Sequence, residues 1–192
     1  MYLDIEVRPS LEMSRRLASR SRKTREAAIS AALGSPGQQM PPVLYALANA
    51  LSREPGRAYD AVFWHHVGRL RAVFDALRCR DKSVRRIVTS LGRNLSKELR
   101  EFENEDPLRV HSIAKRAIEW DLNNPRDYDH RWVFLHVKPA KNTQGGNACG
   151  TNARLTYPET EWPDILRYVH QTHLRSVELF VADKKVNIVL PS

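Results

Sequence analysis

The chain has 192 residues, 42% of them apolar, a formal net charge of +9 and two cysteines. That is enough for one domain or two small ones with a sizeable core. No apolar run approaches the ~18 residues of a membrane span, the acidic, alternating start is not a signal peptide, and Cys79 and Cys149 form neither a disulfide framework nor a zinc ribbon, so a reducing, cytoplasmic setting is expected.

Leu3, Ile5 and Val7 alternate with Asp4, Glu6 and Arg8, which predicts a half-buried strand over 2–8 ended by Pro9. Ser10 then offers a cap for a weakly amphipathic helix with Met13 and Leu17 inward. Residues 8–25 carry seven Lys/Arg against one Glu. A glycine- and proline-rich loop, 34–42, leads to a short apolar helix over 43–51, stopped by Pro55-Gly56.

The stretch 57–103 reads as a pair of basic amphipathic helices. Phe63, Val67, Leu70, Phe74 and Leu77 step by four and three, and Val84, Val88, Leu91, Leu95, Leu99 and Phe102 do the same. Arg80-Asp81-Lys82-Ser83 separates them, with Asp81 or Ser83 as N-cap. Residues 69–100 hold ten Lys/Arg against three Asp/Glu. The rhythm resembles a helix-turn-helix whose second helix would present Arg85, Arg86, Thr89, Ser90, Arg93 and Lys97, side chains suited to phosphates and purine edges. One of His65 and His66 should face outward. A helix over 108–122 follows, with Val110, Ile113, Ala117 and Trp120 inward and Asn124-Pro125 as its stop.

Beyond residue 125 the pattern turns β-like. Residues 132–137 and 153–157 suit strands, and 139–153 form a polar, glycine-rich loop edged by Lys138, Lys141 and Arg154. A helix over 162–174 precedes alternating runs at 177–181 and 186–190, with Asp183-Lys184 as a hairpin turn. The expected class is therefore α+β: a mainly helical basic region (1–125), then a small antiparallel ββαββ unit (126–192) joined by the N-terminal strand.

Several constellations invite chemistry. Pro163-Asp164 and Asp183-Lys184-Lys185 resemble the PD-(D/E)xK nuclease pattern, whose acids bind a divalent metal, but they fall on an expected helix start and hairpin tip. Arg167 and His173 resemble the arginine–histidine pattern of HEPN-type ribonucleases. His170 and His173 share a helical face, Cys149 and His136 would make a nucleophilic pair, and neither set has an evident third member. Tyr2-Leu3-Asp4-Ile5-Glu6-Val7-Arg8-Pro9 resembles the opening strand of ferredoxin-like CRISPR-RNA-processing endoribonucleases, over those eight residues.

The two cationic segments indicate a polyanion partner. The expected function is nucleic-acid binding (DNA or RNA) as a non-catalytic subunit or accessory factor of a nucleoprotein complex. The contacts would come from Arg15, Arg16, Arg20, Arg22, Lys23, Arg25, Arg78, Arg80, Lys82, Arg85, Arg86, Arg93, Lys97, Lys138, Lys141 and Arg154, with Trp64 or Trp132 stacking on bases. The alternative is a protein-binding adaptor or inhibitor of a nucleic-acid-handling machine, and after it a metal-dependent nuclease. No cofactor, metal site or catalytic residue is assigned.

Overall fold

The structure, a computed structural model, describes residues 5–136 and 155–189. Eight α-helices account for most of them: α1 (Arg8–Leu17), α2 (Arg22–Gly34), α3 (Pro41–Leu51), α4 (Ala58–Arg78), α5 (Arg85–Arg93), α6 (Lys97–Glu105), α7 (Pro107–Asn123) and α8 (Trp162–Val189). Among the described residues there is no strand, only an isolated antiparallel bridge between Cys79 and Thr156, so the expected ββαββ unit does not form there. The class is all-helical.

Three local decisions overturn the strand expectations. At the N-terminus the segment 5–7 is not a strand, and α1 starts at Arg8 with Pro9 in its first turn. Proline's fixed φ is preorganised for that position, so Pro9 opens a helix rather than ending a strand. Residues His130–His136 form 3-10 turns. The runs at 177–181 and 186–189 belong to α8, and Asp183-Lys184 is helical, not a hairpin turn. Val169, His173, Val177 and Val181 are all buried at steps of four, so the stripe that starts the helix simply continues. Leu179, which alternation would bury beside Val177 and Val181, is exposed instead.

α4 is the central element. It packs against α3 on one side and against α7 and α8 on the other. Gly68 lets α3 come close: a Cβ there would lie 3.1 Å from Leu44 Cβ and 3.2 Å from Tyr45 Cδ2. Val62, Val67 and Leu70 of α4 share one apolar cluster with Leu44 and Leu47 of α3, Val110 and Ile113 of α7, and Val169 and Val177 of α8. A second cluster joins Tyr45, Ala72, Ala76, Val84, Trp132 and Val133.

Two ionic knots pin α4 within this core. Arg71 has no exposed surface; its Nε donates to Asp121 Oδ1 at 3.0 Å, and Nη2 donates to the Pro125 carbonyl at 2.9 Å. Asp121 also accepts from Arg126 and, at 2.9 Å, bonds His170 Nε2. Burial works against the Asp121 carboxylate, but His170, Arg126 and Arg71 outweigh it and hold its pKa below the ordinary value. The second knot is Asp75, which takes Arg78, the Tyr128 hydroxyl at 3.0 Å and the Trp132 indole N–H at 2.8 Å.

The expected second central helix is two helices. α5 ends at Arg93 and α6 starts at Lys97. Ser96 caps α6 by accepting from Leu99 N at 3.2 Å. Asn49 of α3 clamps the joint from below: its Nδ2 donates to the Asn94 carbonyl, and its Oδ1 accepts from Ser96 N, both at 2.8 Å. At the other end of α5, Asp81 accepts from Ser83 N and caps the 3-10 turn that leads into the helix. The helices at 41–51, 58–78 and 107–123 match their expected positions within two residues.

Candidate functional site

The joint between α5 and α6 leaves a cleft of about 470 Å³ against α4. Arg69 enters it from α4, Thr89 and Arg93 from α5, and Arg100 from α6, with His65 in its wall. Val88, Gly92 and Leu95 complete the lining, which contains no carboxylate. Arg100 Nη2 donates to the Arg93 carbonyl at 2.6 Å, so its charge rests on the C-terminal end of α5, where the helix dipole favours a cation. Arg69 and the Arg93 side chain have no ion-pair partner among the described residues. Three guanidinium groups in a walled, acid-free concavity concentrate positive potential and suit a phosphate.

Behind Arg69 lies a row of imidazoles. His65 Nδ1 bonds Glu103 Oε1 at 2.7 Å, and His66 Nδ1 meets His173 Nε2 at 2.9 Å. The expectation that His65 or His66 faces outward fails: at 6% and 4% exposure both are buried. α4 is covered on several sides, so two adjacent positions are enclosed together. Burial, then the charges of its neighbours His65, His173 and Arg69, pushes the His66 pKa well below the ordinary histidine value. His173 is lowered to about 3, first by burial and then by Arg69. Both rings are therefore neutral at physiological pH. Tyr45, edge-on to His65, is raised to about 12 by burial.

The anticipated contact residues fall into separate groups. Arg80, Lys82, Arg85, Arg86, Arg93 and Lys97 are exposed on or beside α5 and α6, as their spacing requires, and so are Thr89 and Ser90. Lys97 pairs with Glu101 at 3.2 Å, and Arg80 Nε donates to the Thr156 carbonyl. Arg15, Arg20, Arg22 and Lys23 are exposed, and Arg16 half-buried, on α1, α2 and the turn joining them, which pack with α3 rather than beside the cleft helices. Arg22 pairs with Glu26, and Arg25 is largely enclosed in a 2.7 Å pair with Glu54. Arg78 is withdrawn altogether: it is 5% exposed, bound to Asp75 and sandwiched near the Phe74 and Trp162 rings. Lys138, Lys141 and Arg154 lie outside the described residues, as does Cys149. Trp64 and Trp132 are buried and offer no stacking face.

The other constellations come apart. Asp164 and Asp183 stand nineteen residues apart on one helix, α8, about 28 Å along its axis, so they share no ion. Among the described residues no group of three His, Cys, Asp or Glu is placed to hold a metal. Arg167 is exposed and pairs with Asp164, whereas His173 is buried, so the two lie on different faces of α8. His170 and His173 do share a face, but an inward one, each committed to a neighbour. Sequence reasoning missed Arg69, Arg100 and Glu103 as a group. The helical spacing of Arg69 four residues after His65 was a usable signal, but the return of α6 onto α4 was not.

No family model matches the chain, no curated protein matches it, and no solved structure matches it.

Proposed function

We propose that this protein binds nucleic acid, with the phosphate backbone held in the cleft between α4, α5 and α6 by Arg69, Arg93 and Arg100. The observation that carries this reading is the cleft lining: three arginines from three helices and no carboxylate. Arg85 and Arg86, exposed on α5, extend the cationic surface beyond the cleft. Each guanidinium fork can meet two oxygens of one anion, and three of them from separate rigid elements around one concavity match the several oxygens and the charge of a phosphate backbone.

The reading predicts steep salt dependence. Each phosphate neutralised adds about 0.9 to the slope of log affinity against log salt. Fluorescence anisotropy of a labelled oligonucleotide at several salt concentrations measures it. The Arg69→Ala/Arg93→Ala double variant should lower the slope by about two units. Binding no stronger than that of an unrelated basic protein, or a slope unchanged in the double variant, overturns the reading.

A further inference from the structure

A second cavity, of about 210 Å³, adjoins the arginine cleft, and His65 and Arg69 line both. Its chemistry differs from that of the cleft. Val110 of α7 with Val177 and Phe180 of α8 form an apolar wall, and His66, His173 and Glu103 form a polar one. Ser176, exposed on α8, is at its edge.

The His65 and His66 rings keep unused hydrogen-bonding capacity. Nε2 of His65 and Nε2 of His66 are both buried without a hydrogen-bond partner, while the Nδ1 atoms of the same rings are taken by Glu103 and His173. Buried polar atoms are nearly always paired, and a group that entered the cavity would lie against these two rings, each of which has a nitrogen still unpaired. Such a group has to be thin enough for a slot between helices, apolar on its faces, and rimmed with donors and acceptors. A nucleobase has those properties. Arg69, at the boundary of the two cavities, links the slot to the phosphate cleft.

We propose that this cavity receives the base of an unpaired nucleotide whose phosphate lies on Arg69, so that the protein prefers single-stranded over duplex nucleic acid. The proposal rests on the nucleic-acid reading of the cleft. In a duplex each base is stacked and paired, and extruding it has an energetic cost; in a single strand the base is free to enter. His66 and His173 are neutral, so the charges at the slot are those of Arg69 and of Glu103, whose carboxylate is bonded to His65.

The test uses three probes at one salt concentration: a short labelled DNA strand, the same strand annealed to its complement, and the same strand built from abasic sites. Wild-type protein should bind the strand about ten-fold more tightly than the duplex, and the abasic strand should lose that advantage. Ser176→Trp, which fills the cavity from an exposed position on α8, should bind strand and duplex equally with duplex affinity unchanged. Equal wild-type affinity for strand and duplex, or an abasic strand that binds as well as the intact one, overturns the base slot and leaves the cleft reading standing. A strand preference that survives in Ser176→Trp also overturns it. No binding of any probe removes the cleft reading as well.

Discussion

Lowering the pH from 7 to 5 should destabilise the fold by about 2 kcal/mol through His173, with His66 acting in the same direction. Both are buried, and both have their folded-state pKa pushed far down, His173 to about 3. In the unfolded chain each titrates near its ordinary value of about 6.5. Above that value neither state binds the proton and stability is unaffected. Below it only the unfolded chain does, so stability falls with pH by about 1.4 kcal/mol per unit for each ring until the folded pKa is reached. From 6.5 down to 5 His173 gives about 2 kcal/mol, a sizeable share of an ordinary domain's stability, and His66 adds to it. The groups around them do not reverse the sign. Arg69 and His65 disfavour the charged rings further. His130, lowered to about 4, pulls in the same direction, discounted because it is partly exposed. Asp121 has a lowered pKa, so the stability it contributes is lost only below the unfolded carboxylate range, outside this window. Asp75, raised by burial, opposes the loss as pH falls toward its folded pKa. Urea unfolding followed by circular dichroism at half-unit pH steps measures the slope. His173→Gln, which removes one titrating ring and keeps a hydrogen-bonding group, should make it shallower by about 1.4 kcal/mol per unit. A stability that stays flat from pH 7 to 5, or a variant with the wild-type slope, would refute the burial of these imidazoles.

Arg71→Met strips Asp121 of its fully buried partner and should cost about 3–5 kcal/mol, read from the denaturation midpoint; a loss below about 1 kcal/mol would contradict the knot. Gly68→Ala adds a methyl 3.1 Å from Leu44 Cβ, and should lower the melting temperature despite alanine's better helix propensity. Gly56, at φ 75°, sits in the left-handed region, so Gly56→Ala should cost about 1–2 kcal/mol in the same urea assay, though its Cβ would meet nothing.

The helices 58–78 and 107–123 were legible because each carries a sustained period near 3.6, and 41–51 because its apolar run is bracketed by Pro41-Pro42 and Pro55-Gly56. The second half of α8 was not. Val177 to Val181 is short, rich in β-favouring residues and compatible with either period; the choice is made by α4 and α7, which bury Val177 and Val181 together. The α5–α6 break had a local sign in Asn94 and Ser96, masked by apolar steps that run through it unbroken. In the site, the cations of α5 were legible because an exposed helix face is set by spacing alone. Arg71 and Arg78 looked the same in sequence as Arg85 and Arg86. Arg71 is withdrawn by Asp121, fifty residues away, and Arg78 by an enclosure that includes Trp162. His65, Arg69, Arg93 and Arg100 converge only once α6 folds back onto α4, a long-range event that no local pattern encodes.

The most direct test of the cleft is a backbone amide chemical-shift titration with a short single-stranded oligonucleotide. The account predicts that the largest changes fall on Arg69, Thr89, Gly92, Arg93 and Arg100, the residues drawn together around one concavity. Changes confined to the Arg15–Arg25 segment, or spread evenly over exposed lysines and arginines, would contradict it.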